Sequence, residues 1–189
     1  MLTVLSDKKY TIEDYMKLDD GNRYELIEGE LIVVPRPRTK HQEIADELVT
    51  SFKIFLRENP VGKVYSDVDV FLGNKVVAPD VLFIAKERLN IVGELNIQGA
   101  PDLVVEVLSP ATVRYDKKKK SQLYFTNGVK EYWLVDPDQQ FVEVFIAGEK
   151  QWQWVGVFDR EDVLTTALLP GLEVKLAEVF QDSYSELKL

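Results

Sequence analysis

Apolar residues recur along this chain with two different periods, and the switches between them mark out its elements. Ile44, Leu48, Phe52 and Phe55 fall at spacings of four, four and three, which is the stripe of a helix with one buried face. That helix opens at Thr39, with Gln42 three residues on, and Asn59-Pro60 stops it. A shorter helix opens at Thr11, where Asp14 completes a capping box, and runs to about Leu18. Asp20, Gly21 and Asn22 then form a turn.

Elsewhere the period is two, or apolar residues run together. RYELI and ELIVV flank Glu28-Gly29 and predict a hairpin with the glycine at positive φ, ended by Pro35 and Pro37. KVYSDVDVFL alternates, and Gly73-Asn74 turns it into VVAPDVLFIA, so these two segments are expected to pair antiparallel. Residues 86–100 read as a loop with one helical turn. PDLVVEVLSP is an apolar strand carrying one carboxylate, Glu106. A helix follows from 113 to about 127, closed by Gly128 at its C-cap. EYWLVD is another strand. FVEVFIA and QWQWVGVF make a C-terminal hairpin around Gly148, with Trp152 and Trp154 on one face, and a short helix ends the chain. This order predicts a mixed sheet flanked by helices, α/β or α+β in class, with extra hairpins at both ends. One domain over residues 1–189 is expected.

Composition narrows the functions open to such a fold. Lys plus Arg is 23 against 32 for Asp plus Glu, a net charge of −9. Such a chain repels phosphate backbones, which argues against a dedicated DNA-binding module. It argues less against a nuclease, where part of the acidity holds a cation that inverts the local field. There is no cysteine, which excludes disulfides, thiolate metal sites and thiol nucleophiles and suits a reducing cytoplasm. Neither a signal-peptide core nor a run of about 18 apolar residues is present, so a cytoplasmic location without membrane contact is expected.

Two acids stand out against this background. Glu106 lies inside a Val-Val-Glu-Val-Leu run. A carboxylate there is at an exposed strand end, paired, or holding a cation, because uncompensated burial costs several kcal/mol. Asp80 is the single acid of VVAPDVLFIA, and Pro79 before it lacks a ladder N–H, predicting a bulge or an edge. Two acids in separate apolar strands suit a shared hard cation, since Mg²⁺ takes one or two carboxylates plus water and phosphate. A phosphodiester hydrolase also uses a positive group near the water, and Asp116-Lys117-Lys118-Lys119-Lys120 opens the next helix. Most of those lysines read as a solvated face. His41, the only histidine, reads as a cap or a site residue. Asp67 and Asp69, two apart, would share a strand face. Asp102 reads as structural, and Trp133, Trp152 and Trp154 as core or dimer contacts.

The sequence resembles the Uma2 family, a group formerly described only as a domain of unknown function and common in cyanobacteria. The resemblance runs through RYELIEGEL, His41-Gln42, APDVLFIAKERL, GAPDLVVEVLSPAT, Asp116 with Lys120-x-x-x-Tyr124, GVKEYWLVDP and LLPGLEVKLAEVF, nearly the whole chain. It implies a restriction-endonuclease-like fold of the PD-(D/E)xK type, with Asp80 and Glu106 as metal ligands for Mg²⁺, or Mn²⁺ in its place. The usual lysine two residues after the second acid is Leu108 here. The resemblance moves that role to Lys120 on the following helix, with Lys117 as the fallback, and adds Glu25 and His41 as supporting residues. It implies a DNA endonuclease, and a homodimer is expected because two sites suit a double strand. A catalytically silent binding protein of the same fold is the alternative, and a hydrolase of small phosphoesters a third reading.

Overall fold

In the computed structural model, which describes residues 3–4 and 8–181, two six-stranded sheets meet. The strands are β1 Thr3–Val4, β2 Arg23–Ile27, β3 Glu30–Val34, β4 Gly62–Tyr65, β5 Val70–Leu72, β6 Lys75–Val77, β7 Val81–Ala85, β8 Ile97–Gln98, β9 Leu103–Val107, β10 Glu131–Asp136, β11 Phe141–Ala147, β12 Trp152–Asp159, β13 Val163–Leu164 and β14 Val174–Lys175. The helices are α1 Ile12–Tyr15, α2 Thr39–Glu58, α3 Val113–Tyr115, α4 Ser121–Asn127 and α5 Leu176–Val179. The central sheet runs β12-β11-β10-β9-β7-β4 and the second β1-β3-β2-β6-β5-β8. In the central sheet β9 and β10 are parallel and the other pairs antiparallel, so the sheet is mixed, as expected.

Side-chain alternation sorts each strand between two layers. Leu103, Val105 and Val107 of β9 face the stripe Ile44, Leu48 and Phe52 of α2, with Trp133 and the C-terminal segment closing that core. Val104 and Leu108 face the other way, toward Leu123 and Tyr124 of α4 and Ile27, Val70 and Val77 of the second sheet. Glu106 shares that inner face by alternation. On β2, Glu25 and Ile27 point into the same layer, while Tyr24 and Leu26 pack behind the second sheet with Tyr10, Ile12 and Tyr15. Two acids on different sheets are thus aimed at one interior.

The hairpin expected around Gly73-Asn74 forms, but each arm is divided between the sheets. Tyr65 pairs with Leu82 in the central sheet and Val70 with Val77 in the second, one continuous register with its middle opened. Asp67 at the opening takes φ +57. Asp67 and Asp69 therefore do not share a strand face. Asp67 pairs with Arg23, and Asp69 accepts from the Tyr15 hydroxyl at 2.8 Å.

Other expectations are adjusted by neighbours rather than by local propensity. The Thr11–Asp14 capping box forms, but α1 ends at Tyr15. At α2 the N-cap is Arg38 with no side-chain cap, and Gln42 donates to Asp46 instead. The loop after β7 holds a 3₁₀ turn, Lys86–Ile91, and the short strand β8. The C-terminal hairpin is the outer part of the central sheet, with a bulge between Val144 and Phe145. Trp133 is fully buried and Trp152 packs on Phe125 and Tyr132, whereas Trp154 stays exposed.

Asp102 is structural by its contacts. It accepts from the Ala85 amide at 2.8 Å and pairs with Arg88 at 3.0 Å and Lys130 at 2.8 Å. Burial opposes its charge, but those donors win and hold its pKa below the ordinary value. Asp102→Ala is expected to destabilise the fold by about 2 kcal/mol, mostly from the orphaned Ala85 N–H, since both cations are free to turn to water. Because its folded pKa is depressed, the Asp102 contribution is present above the unfolded pKa and lost as pH falls through the folded one. Equilibrium urea unfolding at pH 7 and pH 3 would show a gap that narrows in acid by its ionic part while the Ala85 N–H part remains, and a gap that widens in acid would contradict the assignment.

Candidate active site

The opened middle of the β4–β5/β6–β7 ribbon frees Asp80 from ladder geometry. The β7–β9 register, extended past Val81 opposite Val105, would set Pro79 opposite Val107. Near that break the Asp80 carboxylate takes the Val107 amide, with Oδ2 accepting at 2.7 Å. The same oxygen lies 3.2 Å from His41 Nε2, in the first turn of α2. On the far side of the break, the Ala78 amide donates to Glu25 Oε1 at 3.2 Å. Two carboxylates thus replace ladder partners along the opening.

Behind them lies a buried ion cluster. Lys120 Nζ is 2.7 Å from Glu25 Oε1, 2.9 Å from Glu106 Oε1 and 3.8 Å from Asp116 Oδ1. The Tyr124 hydroxyl donates to the same Glu106 oxygen at 2.5 Å. Glu106 is 3%, Asp116 2% and Lys120 5% exposed. The backbone that brings Asp116 and Lys120 inward together is a π-helical turn, Asp116–Lys120, inserted between α3 and α4. There the Ser121 amide reaches back five residues to the Asp116 carbonyl. Such wide turns inside α-helices are frequent at functional sites. Gly128 closes α4 at φ +90, as expected.

One ammonium faces three carboxylates here, with Asp80 close by. Burial works against the Lys120 charge, but Glu106 and Glu25 outweigh it and hold its pKa well above the ordinary value. Burial raises Glu106, Lys120 opposes that, and Asp116, Asp80 and Glu25 push it further up. Burial likewise lifts Asp116 to about 6 against the pull of Lys120. Burial lowers His41, yet Asp80, the Val107 backbone and Asp116 leave its pKa raised. A group of carboxylates that resists carrying all its charge has a place for a cation.

The cluster opens on one side into a cavity of about 570 Å³ whose wall includes Asp80, Glu106, Asp116 and His41. Among the described residues Asp80 Oδ1 and Glu106 Oε2 make no hydrogen bond and are not sealed, and both residues line the cavity. Among the described residues no three His, Asp or Glu side chains form a complete protein cage for a metal. Mg²⁺ does not need one, because it keeps several waters and uses one or two carboxylates. Oxygen donors of this kind suit that ion, and Asp80 and Glu106 are the residues that could hold one.

The sequence-predicted residues separate clearly in space. Asp80, Glu106, Lys120, Glu25 and His41 are brought together. Lys117 is not, since it pairs with Glu143 on the outer side of the helix. Lys120 and Glu25 stand behind Glu106 and do not line the cavity, whereas Leu108 does. Asp116, Tyr124 and Tyr115 are not among the sequence-predicted site residues, although the first two stand in a motif that carries the family resemblance and Tyr124 donates to Glu106. Asp116 heads the lysine run four residues before Lys120, a spacing that marks a shared helical face. Tyr115 buries a hydroxyl with no partner among the described residues, and nothing in the sequence signalled it.

A family model named Uma2, described as "Putative restriction endonuclease", matches residues 12–177. No curated protein matches the chain. Among solved structures, one described as a "putative nuclease belonging to DUF820 from Anabaena variabilis ATCC 29413" matches with a TM-score of 0.76 and 24% identity. It covers 90% of this chain and 97% of its own. At that identity the likeness speaks for the fold. No described helix is long and apolar enough to cross a membrane.

Proposed function

The chain belongs to the Uma2 family, and from that premise we propose that the acidic cleft is the active site of a Mg²⁺-dependent endonuclease acting on DNA phosphodiesters. The observation that carries this reading is the pair of open oxygens, Asp80 Oδ1 and Glu106 Oε2, on the wall of one cavity above a surplus of buried carboxylates. The family description and the words given to the Anabaena structure, "putative nuclease", agree with it.

Each residue then has a part that follows from its contacts. The Val107 amide and His41 turn Asp80 so that one oxygen remains for the cation. Tyr124 and Lys120 do the same for Glu106. Lys120, sealed behind that carboxylate, is a positioning residue that balances charge and acts on a water through Glu106. A bound Mg²⁺ would supply an activated water and offset charge on the scissile phosphate. A second copy belongs to the same reading, because two sites suit the two strands of a duplex and the edge strand β12 exposes Trp154 and Val157.

Supercoiled plasmid tests the reading. Millimolar Mg²⁺ or Mn²⁺ is expected to produce nicked and linear forms, with EDTA stopping the reaction, and calorimetry should show the metal binding. The sealed position of Lys120 and the apolar Leu108 favour one rival, a binding protein that keeps the fold without catalysis. Metal heat without nicking would select the rival, and neither heat nor nicking would sink the metal site itself.

A further inference from the structure

The acidic cleft has a basic lip. Arg36, Arg38 and Lys40 line its mouth and are exposed. None of the three takes part in an ion pair among the described residues. In a chain of net charge −9, three exposed cations at the mouth of an acidic cavity are available to an anionic ligand.

The backbone that carries them is stiff. Pro35 and Pro37 fix their own φ and confine Arg36 to extended conformations. Arg38 follows at φ −75, ψ 158 before α2 begins. Segment 35–38 belongs to neither helix nor strand. On such an extended segment residues two apart are separated by roughly 6 Å, close to the spacing of neighbouring phosphates along a nucleic-acid strand. A pre-set backbone loses little freedom when its side chains engage a ligand, and guanidinium forks match phosphate geometry. Among the described residues no Phe, Tyr or Trp lines the cavity, so bases find no large stacking platform there.

We infer that the Pro-Arg-Pro-Arg segment is a phosphate grip, in which Arg36 and Arg38 hold the sugar–phosphate backbone of a polynucleotide across the cleft mouth and bring the scissile bond over Asp80 and Glu106. The inference rests on the nuclease reading for its substrate, and it answers how so acidic a chain holds a polyanion. Lys40, the second residue of α2, adds field rather than a fixed contact.

The test is Arg36→Ser with Arg38→Ser, two exposed changes that leave the core untouched, and the charge reversal Arg36→Glu with Arg38→Glu. Fluorescence anisotropy with a labelled DNA duplex in Ca²⁺, across a salt series, reads the grip. The slope of log affinity against log salt is expected to fall by about 2, one phosphate per arginine. Affinity near 0.1 M salt should drop about tenfold or more, and further in the reversal. Mn²⁺-dependent hydrolysis of bis(p-nitrophenyl) phosphate, which has no second phosphate to hold, should stay within twofold of wild type. If wild type cuts DNA and the serine variant binds with unchanged affinity and slope, the grip is refuted and the nuclease stands. If the variant loses binding while wild type hydrolyses no phosphodiester, the grip stands and the catalytic reading falls. Wild type that shows no salt-dependent DNA binding overturns the grip.

Discussion

Asp80→Asn is expected to abolish metal-dependent DNA cleavage, by at least about 10³-fold, while the melting temperature stays level or rises. The catalytic half follows from the site. Asparagine keeps an oxygen for the Val107 amide but removes the charge that a hard cation needs. The stability half follows from the surplus of carboxylates. Asp80 helps push Glu106 and Asp116 above their ordinary pKa values, so removing its charge relieves repulsion in the unliganded protein. Glu106→Gln should lose activity to the same degree. Plasmid nicking in Mg²⁺ and differential scanning fluorimetry in EDTA read the two halves separately. Wild-type nicking by both variants would remove these acids from the mechanism. Lost nicking with a fall of many degrees would mean that Asp80 is holding the fold.

Lys120→Met should be the most destabilising single change in the cluster, by about 3–5 kcal/mol, because it leaves Glu25, Glu106 and Asp116 buried without their cation. For a chain of this length that is roughly a 10 °C fall in melting temperature. Adding Glu106→Gln to Lys120→Met should restore about half of the loss, since pairs removed together cost far less than one partner removed alone. The pH dependence has a definite sign. Carboxylates whose folded pKa is raised contribute stability below their unfolded pKa, roughly 4, and lose it as pH rises through the folded value. The deficit of Lys120→Met should therefore be small at pH 4 and full at pH 8. A deficit independent of pH would place the role of Lys120 in packing.

How much of this was legible in the sequence depended on whether local patterning or long-range assembly decides the feature. The 3.6-residue stripe of α2, the capping box at Thr11 and Gly128 at the end of α4 are local, and each is found where the spacing placed it. The isolated charge in LVVEV announced a buried acid, because apolar neighbours on both sides leave few alternatives. The opening of the β4–β5/β6–β7 ribbon was invisible, since its cause is two sheets competing for one hairpin. For the same reason Asp67 and Asp69 looked like a strand face. Pro79 hinted at irregularity without saying that Asp80 would replace a ladder partner. The wide turn at Asp116–Lys120 was hidden too, because its residues are ordinary helix formers and only the burial of both ends reveals it.

That wide turn is also expected to make the chain tolerant of losing one residue there, which the melting temperature of a single-lysine deletion would check. Between Asp116 and Ser121 every residue is lysine. Deleting any one of Lys117, Lys118 or Lys119 would let the turn relax to ordinary α-helical winding. A lysine would still precede Ser121, one turn before the tyrosine, with the aspartate three residues ahead of it and on the same face. The repeated residue works as slack in the reading frame of the helix. A one-residue slip that elsewhere would rotate a buried ammonium away by about 100° here delivers an equivalent one.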